Sequence, residues 1–178
     1  MTNATSTSAT PARYRRKAGV GRKMEPAEIE RYVARYKDLK EDPNAFPGVT
    51  SNASRRRICY VISPDNLAGP AAITTPHNFH LSYLESEPGK APPLHAHPYA
   101  EIFICLKGKY AIAWGDAGEN VVELEQYDTF SVPPGVMRKV YNVSDGPGMI
   151  IGIYDGGGDP LEGITVPQSV IDELGYDR

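Results

Sequence analysis

The sequence predicts an all-β body, a sandwich or barrel of short strands, between Ile58 and Tyr154. Two observations carry that expectation. The chain there is broken every few residues by Gly, Pro, Asn or Asp, which leaves apolar runs of strand length rather than helix length. In Lys109 to Trp114 the bulky Tyr110, Ile112 and Trp114 alternate with Ala111 and Ala113, a period of two that sends large side chains toward a lumen. Strands are expected near 58–62, 71–74, 79–85, 92–97, 101–107, 109–115, 120–125, 128–132, 138–143 and 148–154.

Four stretches follow from composition: a flexible basic arm over 1–24, a helix and linker over 25–57, the barrel over 58–155 and a tail with a short helix over 156–178. The arm opens Thr/Ser/Ala-rich and then carries Arg13, Arg15, Arg16, Lys17, Arg22 and Lys23 with no acid. Those six of the 19 basic residues leave 13 against 22 acidic residues elsewhere, a body of charge −9. Such an arm docks readily on an acidic body or a second subunit. From Glu25 to Glu41 a stripe of Ile29, Tyr32, Val33, Tyr36 and Leu39 has helical spacing, with Pro26 suited to a first turn. The stripe predicts a helix lying on the outside of the barrel. Pro167 to Leu174, followed by Gly175, reads as a short capped helix.

No apolar run approaches a membrane span, and the start lacks the apolar core of a secretory signal. Cys59 and Cys105 are too few for a disulfide framework, so a reducing cytoplasm is the expected compartment. No helix-turn-helix pattern, phosphate-cradling glycine loop, Ser-His-Asp order or Cys-x-x-Cys pair appears, and nucleic acid is not an expected partner.

The chemistry concentrates in Gly89 to Gly108, GKAPPLHAHPYAEIFICLKG. His95 and His97, one residue apart on a strand, aim two imidazoles at one point, and Glu101 opens the next apolar segment within reach of it. Two imidazoles and a carboxylate form the facial-triad ligand set of non-heme Fe(II) oxygenases. The plain alternative is an exposed His-x-His at the lip of a hairpin with Glu101 solvated. Tyr99, between the histidines and Glu101, is a candidate for the pocket mouth. Phe103 and Cys105 follow Glu101 on its own face; Phe103 is a candidate substrate contact and Cys105 a buried, inert thiol. Ile102, Ile104 and Leu106 make the opposite face equally apolar, which requires cover from a second subunit or the N-terminal helix, and a homodimer is the expected state. His77 and His80 read as loop and edge residues.

The segment resembles the first motif of the cupin superfamily, G-x5-H-x-H-x3-E-x6-G, at every position. Tyr127 to Asn142, YDTFSVPPGVMRKVYN, resembles the second, G-x5-P-x-G-x2-H-x3-N, at Pro133, Gly135 and Asn142. Tyr127 stands in the place of its first Gly, and Arg138 in the place of its His, the family's fourth metal ligand. The resemblance implies a double-stranded β-helix (a jelly-roll barrel) with a divalent transition metal held by His95, His97 and Glu101. Fe(II) is the expected metal, with Mn, Ni or Zn as alternatives.

Arg138 cannot replace a histidine ligand, because a guanidinium stays protonated and offers no lone pair. It either clamps a small anionic substrate beside the metal, or pairs with Glu101 and leaves no metal at all. The corresponding functions are a metal-dependent enzyme on a small anionic molecule, dioxygenase-like or else an isomerase or lyase, and a non-catalytic cupin that binds or senses a small ligand.

Overall fold

A computed structural model describes residues 21–42, 56–63, 71–74, 77–156 and 162–174. Eight strands form two antiparallel sheets: β1 Arg56–Ile62, β2 Phe79–Ser86, β3 Glu101–Lys107, β4 Tyr110–Trp114, β5 Asn120–Leu124, β6 Thr129–Val132, β7 Arg138–Asn142 and β8 Gly148–Asp155. One sheet has the order β1-β2-β8-β3-β6 and the other β5-β4-β7. This is the double-sheet jelly roll expected from the sequence. The 71–74 expectation reduces to one bridge, Ile62 to Ile73, and the 92–97 expectation to bridges at His95 and Ala96.

Register fixes what each layer of the interior contains, since residues paired across antiparallel strands point to the same face. At one end His80, Tyr154 and Glu101 lie in one row across β2, β8 and β3. The next row is Ser82, Gly152 and Phe103, and the third Leu84, Ile150 and Cys105. The facing sheet supplies Arg138, Val140 and Asn142 from β7, opposite Trp114, Ile112 and Tyr110 of β4. The middle is a continuous apolar core that includes Leu84, Phe103, Ile112, Val132, Val140 and Ile150. Its far end is sealed by the Ser86 and Tyr110 hydroxyls, 3.0 Å apart, and by Asn142 Nδ2 donating to the carbonyls of Ser86 and Gly146 at 2.8 Å. The barrel therefore has a closed apolar middle and one polar, ionisable end.

The expected helix over 25–41 is broken. Only α1, Pro26–Ile29, is α-helical; two 3-10 turns, Glu30–Tyr32 and Tyr36–Asp38, follow it, separated by extended backbone at Val33 and Arg35. Tertiary contacts outweigh the periodic pattern. Leu39 and Ala34 pack with Cys59 and Val61 on the outer face of β1. Tyr36 Oη donates to Glu85 Oε1 at 2.5 Å, and Arg57 binds Glu85 Oε1 and the Leu39 carbonyl, each at 2.9 Å. With these contacts made at Tyr36 and Leu39 the segment is a strap, and Ile29, Tyr32 and Val33 stay exposed. The short second helix, α2 Gln168–Leu174, matches expectation. Trp114 does not fill the lumen as Tyr110 and Ile112 do; it ends its strand in solvent. The arm and part of the linker fall outside the described residues. Among the described residues no helix is long and apolar enough to cross a membrane.

Candidate functional site

The polar end gathers four of the residues singled out by sequence. His95 and Arg138 pair through their backbones, His95 N–H to Arg138 O at 3.1 Å and Arg138 N–H to His95 O at 2.8 Å, which ties the histidine segment to the first residue of β7. The other edge of that segment pairs Ala96 with Thr165, and Gly135 N–H donates to His97 O at 2.8 Å. His95, His97, Glu101 and Arg138 are all buried. Gly152 is packed tightly beneath the carboxylate: a Cβ there would crowd Ser82 Oγ at 3.1 Å and Leu84 Cδ1 at 3.3 Å, with Glu101 Oε1 at 3.7 Å.

Arg138 lies on Glu101. Its Nε and Nη2 both donate to Glu101 Oε2, at 2.9 and 2.5 Å, and Nη1 donates to His95 O at 3.3 Å. The side chains of Arg138 and Glu101 are 2% and 3% exposed. Burial pulls the guanidinium down to about 10, with the nearby Tyr154 phenol opposing the shift. That value, and a carboxylate oxygen at 2.5 Å, keep it cationic at neutral pH.

Whether these residues fit a divalent metal is decided by that ion pair. The carboxylate a metal needs is already bonded twice to a cation. A metal at this carboxylate would have to share Oε2 with the guanidinium or displace it, and displacement leaves a buried cation without its partner. Among the described residues no group of three His, Cys, Asp or Glu side chains stands in metal-binding arrangement. In this arrangement the site does not fit a divalent ion.

The histidines differ in their surroundings. His95 Nδ1 lies 2.8 Å from the Pro93 carbonyl, which can only accept, so Nδ1 carries a proton and donates it there. His97 Nδ1 is buried, with no hydrogen-bond partner among the described residues. Its ring stacks on Tyr99 (centroids 5.0 Å, planes 19° apart) and meets His95 and Tyr154 edge-on at 5.1 and 5.3 Å. Tyr99 is partly exposed beside it. Phe103 lies one row deeper, in the core, beside Gly152.

Sequence reasoning missed Tyr154 and His80. His80 is not an edge residue: it is buried on the interior face of β2, with Nδ1 3.0 Å from Ser63 Oγ. The available signal was strand alternation. His80, Ser82, Leu84 and Ser86 on β2, and Gly148, Ile150, Gly152 and Tyr154 on β8, each fall on one face. His77 remains outside the cluster, edge-on to Phe79 at 5.3 Å.

A family model, the cupin domain, matches residues 82–154. No curated protein matches the sequence. Among solved structures, the polyketide cyclase RemF from Streptomyces resistomycificus is similar at 15% identity and TM-score 0.55, over 69% of this chain and 78% of that one. A cupin 2 domain-containing protein from Halorhodospira halophila is similar at 18% identity and TM-score 0.54, over 78% and 88%. Peruvianin-I, a cysteine peptidase from Thevetia peruviana latex, is similar at 18% identity and TM-score 0.50, over 81% and 83%. These likenesses concern the fold. The family match and the fold together show a cupin domain over residues 82–154 of this chain.

Proposed function

We propose that this chain is a metal-independent cupin that binds a small organic molecule at the polar end of its barrel, with the Arg138 guanidinium standing where other members hold a metal. One observation carries the reading: two nitrogens of Arg138 on one oxygen of Glu101, inside the barrel and out of water. Truncating one partner of such a pair strands the other charge, so the pair does not yield readily to a competing ion. The clustering of His80, His95, His97 and Tyr154 at an otherwise apolar barrel supports a ligand site there, since pockets combine apolar walls with a few convergent polar groups.

A second reading, a metal-dependent enzyme of dioxygenase, isomerase or lyase type, is favoured by the Pro93 carbonyl, which accepts from His95 Nδ1 as the outer partners of metal-bound histidines do. It requires Glu101 to leave Arg138. Thiol chemistry of the kind named for Peruvianin-I is not supported: burial pushes the thiols of Cys59 and Cys105 upward, away from the reactive thiolate. Elemental analysis of purified protein incubated with Fe(II), Mn(II), Ni(II) or Zn(II) and then desalted separates the readings. Less than a tenth of an equivalent is expected, on the order of adventitious binding; one metal per chain returns the function to the second reading.

A further inference from the structure

Building on the metal-independent reading, we infer that the ligand is an uncharged hydroxylated aromatic molecule, held by a hydrogen bond to His97 Nδ1 and by stacking among Tyr99 and Tyr154. The sequence alone pointed to an anion, on the strength of Arg138. The structure turns that argument around. The guanidinium charge is neutralised by Glu101 within the pair, and Nη1 is directed at the His95 carbonyl. An anion entering here brings a buried charge with no counter-charge of its own, which a low-dielectric interior resists.

His97 supplies the complementary demand. It is 4% exposed, and its Nδ1 has no hydrogen-bond partner among the described residues. Buried polar atoms are almost always bonded, so this nitrogen marks a place where a ligand atom or an ordered water belongs. A hydroxyl donates and accepts, and so satisfies Nδ1 in either tautomer of the imidazole.

Shape follows from the rings. His97 and Tyr99 are within 19° of parallel, Tyr154 stands edge-on to both at 5.3 and 6.1 Å, and Tyr99 and Tyr154 are each partly exposed. Aromatic rings favour offset stacks and edge contacts, and a flat ligand ring joins or replaces Tyr99 in such a cluster without desolvating a charge. Tyr99 is carried on the short bend that precedes β3.

The test is calorimetric titration of the full-length protein with 2-naphthol, benzoate and naphthalene, with metal content measured on the same sample. 2-Naphthol is expected to bind, with benzoate and naphthalene at least about tenfold weaker. His97→Phe, which keeps a ring and removes the nitrogen, is expected to weaken 2-naphthol about five- to tenfold, the worth of one neutral hydrogen bond. Benzoate binding as tightly as 2-naphthol, no binding of any probe at millimolar concentration, or a folded His97→Phe with unchanged affinity each overturns the inference. If His97→Phe does not fold, the His97 side-chain nitrogen resonances of the wild type decide. A shift on adding 2-naphthol supports the contact, and an unmoved resonance overturns it in favour of a bound water. One metal per chain in the same sample would instead overturn the reading beneath it.

Discussion

At Arg138 a guanidinium gives up its water for one carboxylate oxygen and one carbonyl. Removing one member of a buried pair costs about 3–5 kcal/mol, whereas replacing both by apolar groups of similar size is often close to neutral. Arg138→Met and Glu101→Leu should each lower stability by roughly that amount in urea denaturation, and the double variant should recover most of the loss. Additive losses in the double variant would mean that the two residues do not act as a pair. Tyr127 gives a second residue-scale expectation. It holds φ 74° with its side chain 72% exposed, in the conformation that the motif's glycine would adopt. Tyr127→Gly should therefore stabilise the fold by about 1 kcal/mol, by removing a left-handed non-glycine residue; a lower melting temperature would contradict it. The buried thiols give a third. Their upward shifts mean that the folded state keeps its protons longer than the unfolded chain does. Their contribution to stability is complete below the unfolded thiol value and is lost as pH rises through the folded one. Native protein at pH 8 should resist thiol reagents that label it fully in denaturant; labelling at the denatured rate would place the thiols in solvent.

Among the elements, β3 runs over 101–107 as the sequence implied, because its ends are set locally by a turn before Glu101 and by Gly108 at φ 82°. The strap over 26–42 was not legible, since its shape depends on Glu85 and Cys59, far away in sequence. Helical spacing says where apolar groups fall if a helix forms, not whether a neighbour will reward it, and a helix this short is marginal unless packed. Leu39 is the strap's buried anchor, so Leu39→Ala should cost about 2–3 kcal/mol, toward the low end for a core leucine. Its signature should be early proteolysis within the strap while the barrel survives; an unchanged digestion pattern would show that Leu39 does not hold it. The site was legible in the same uneven way. Motif spacing brought His95, His97, Glu101 and Arg138 into view together, and the choice between a clamp and an ion pair required the distance from Arg138 to Glu101. Tyr154 and His80 come from strands whose register with β3 no local pattern specifies.

For the whole molecule, the strap packs on Leu81 and Tyr83 of the larger sheet's outer face, and beyond it Ile102, Ile104, Ile151 and Ile153 are partly exposed. A sheet apolar on both faces requires cover on both, and we propose that a second copy of the chain supplies it. Sedimentation should give a dimer that Ile104→Lys dissociates; a wild-type monomer at micromolar concentration would refute this. Replacement of the metal by a guanidinium in this barrel is tested by titrating Zn(II) into wild type and Arg138→His side by side. Removing the cation releases Glu101 and completes a set of three histidines and one carboxylate. The expected result is saturable one-to-one binding to Arg138→His and none to wild type. Wild type binding Zn(II) as tightly as Arg138→His would contradict the account.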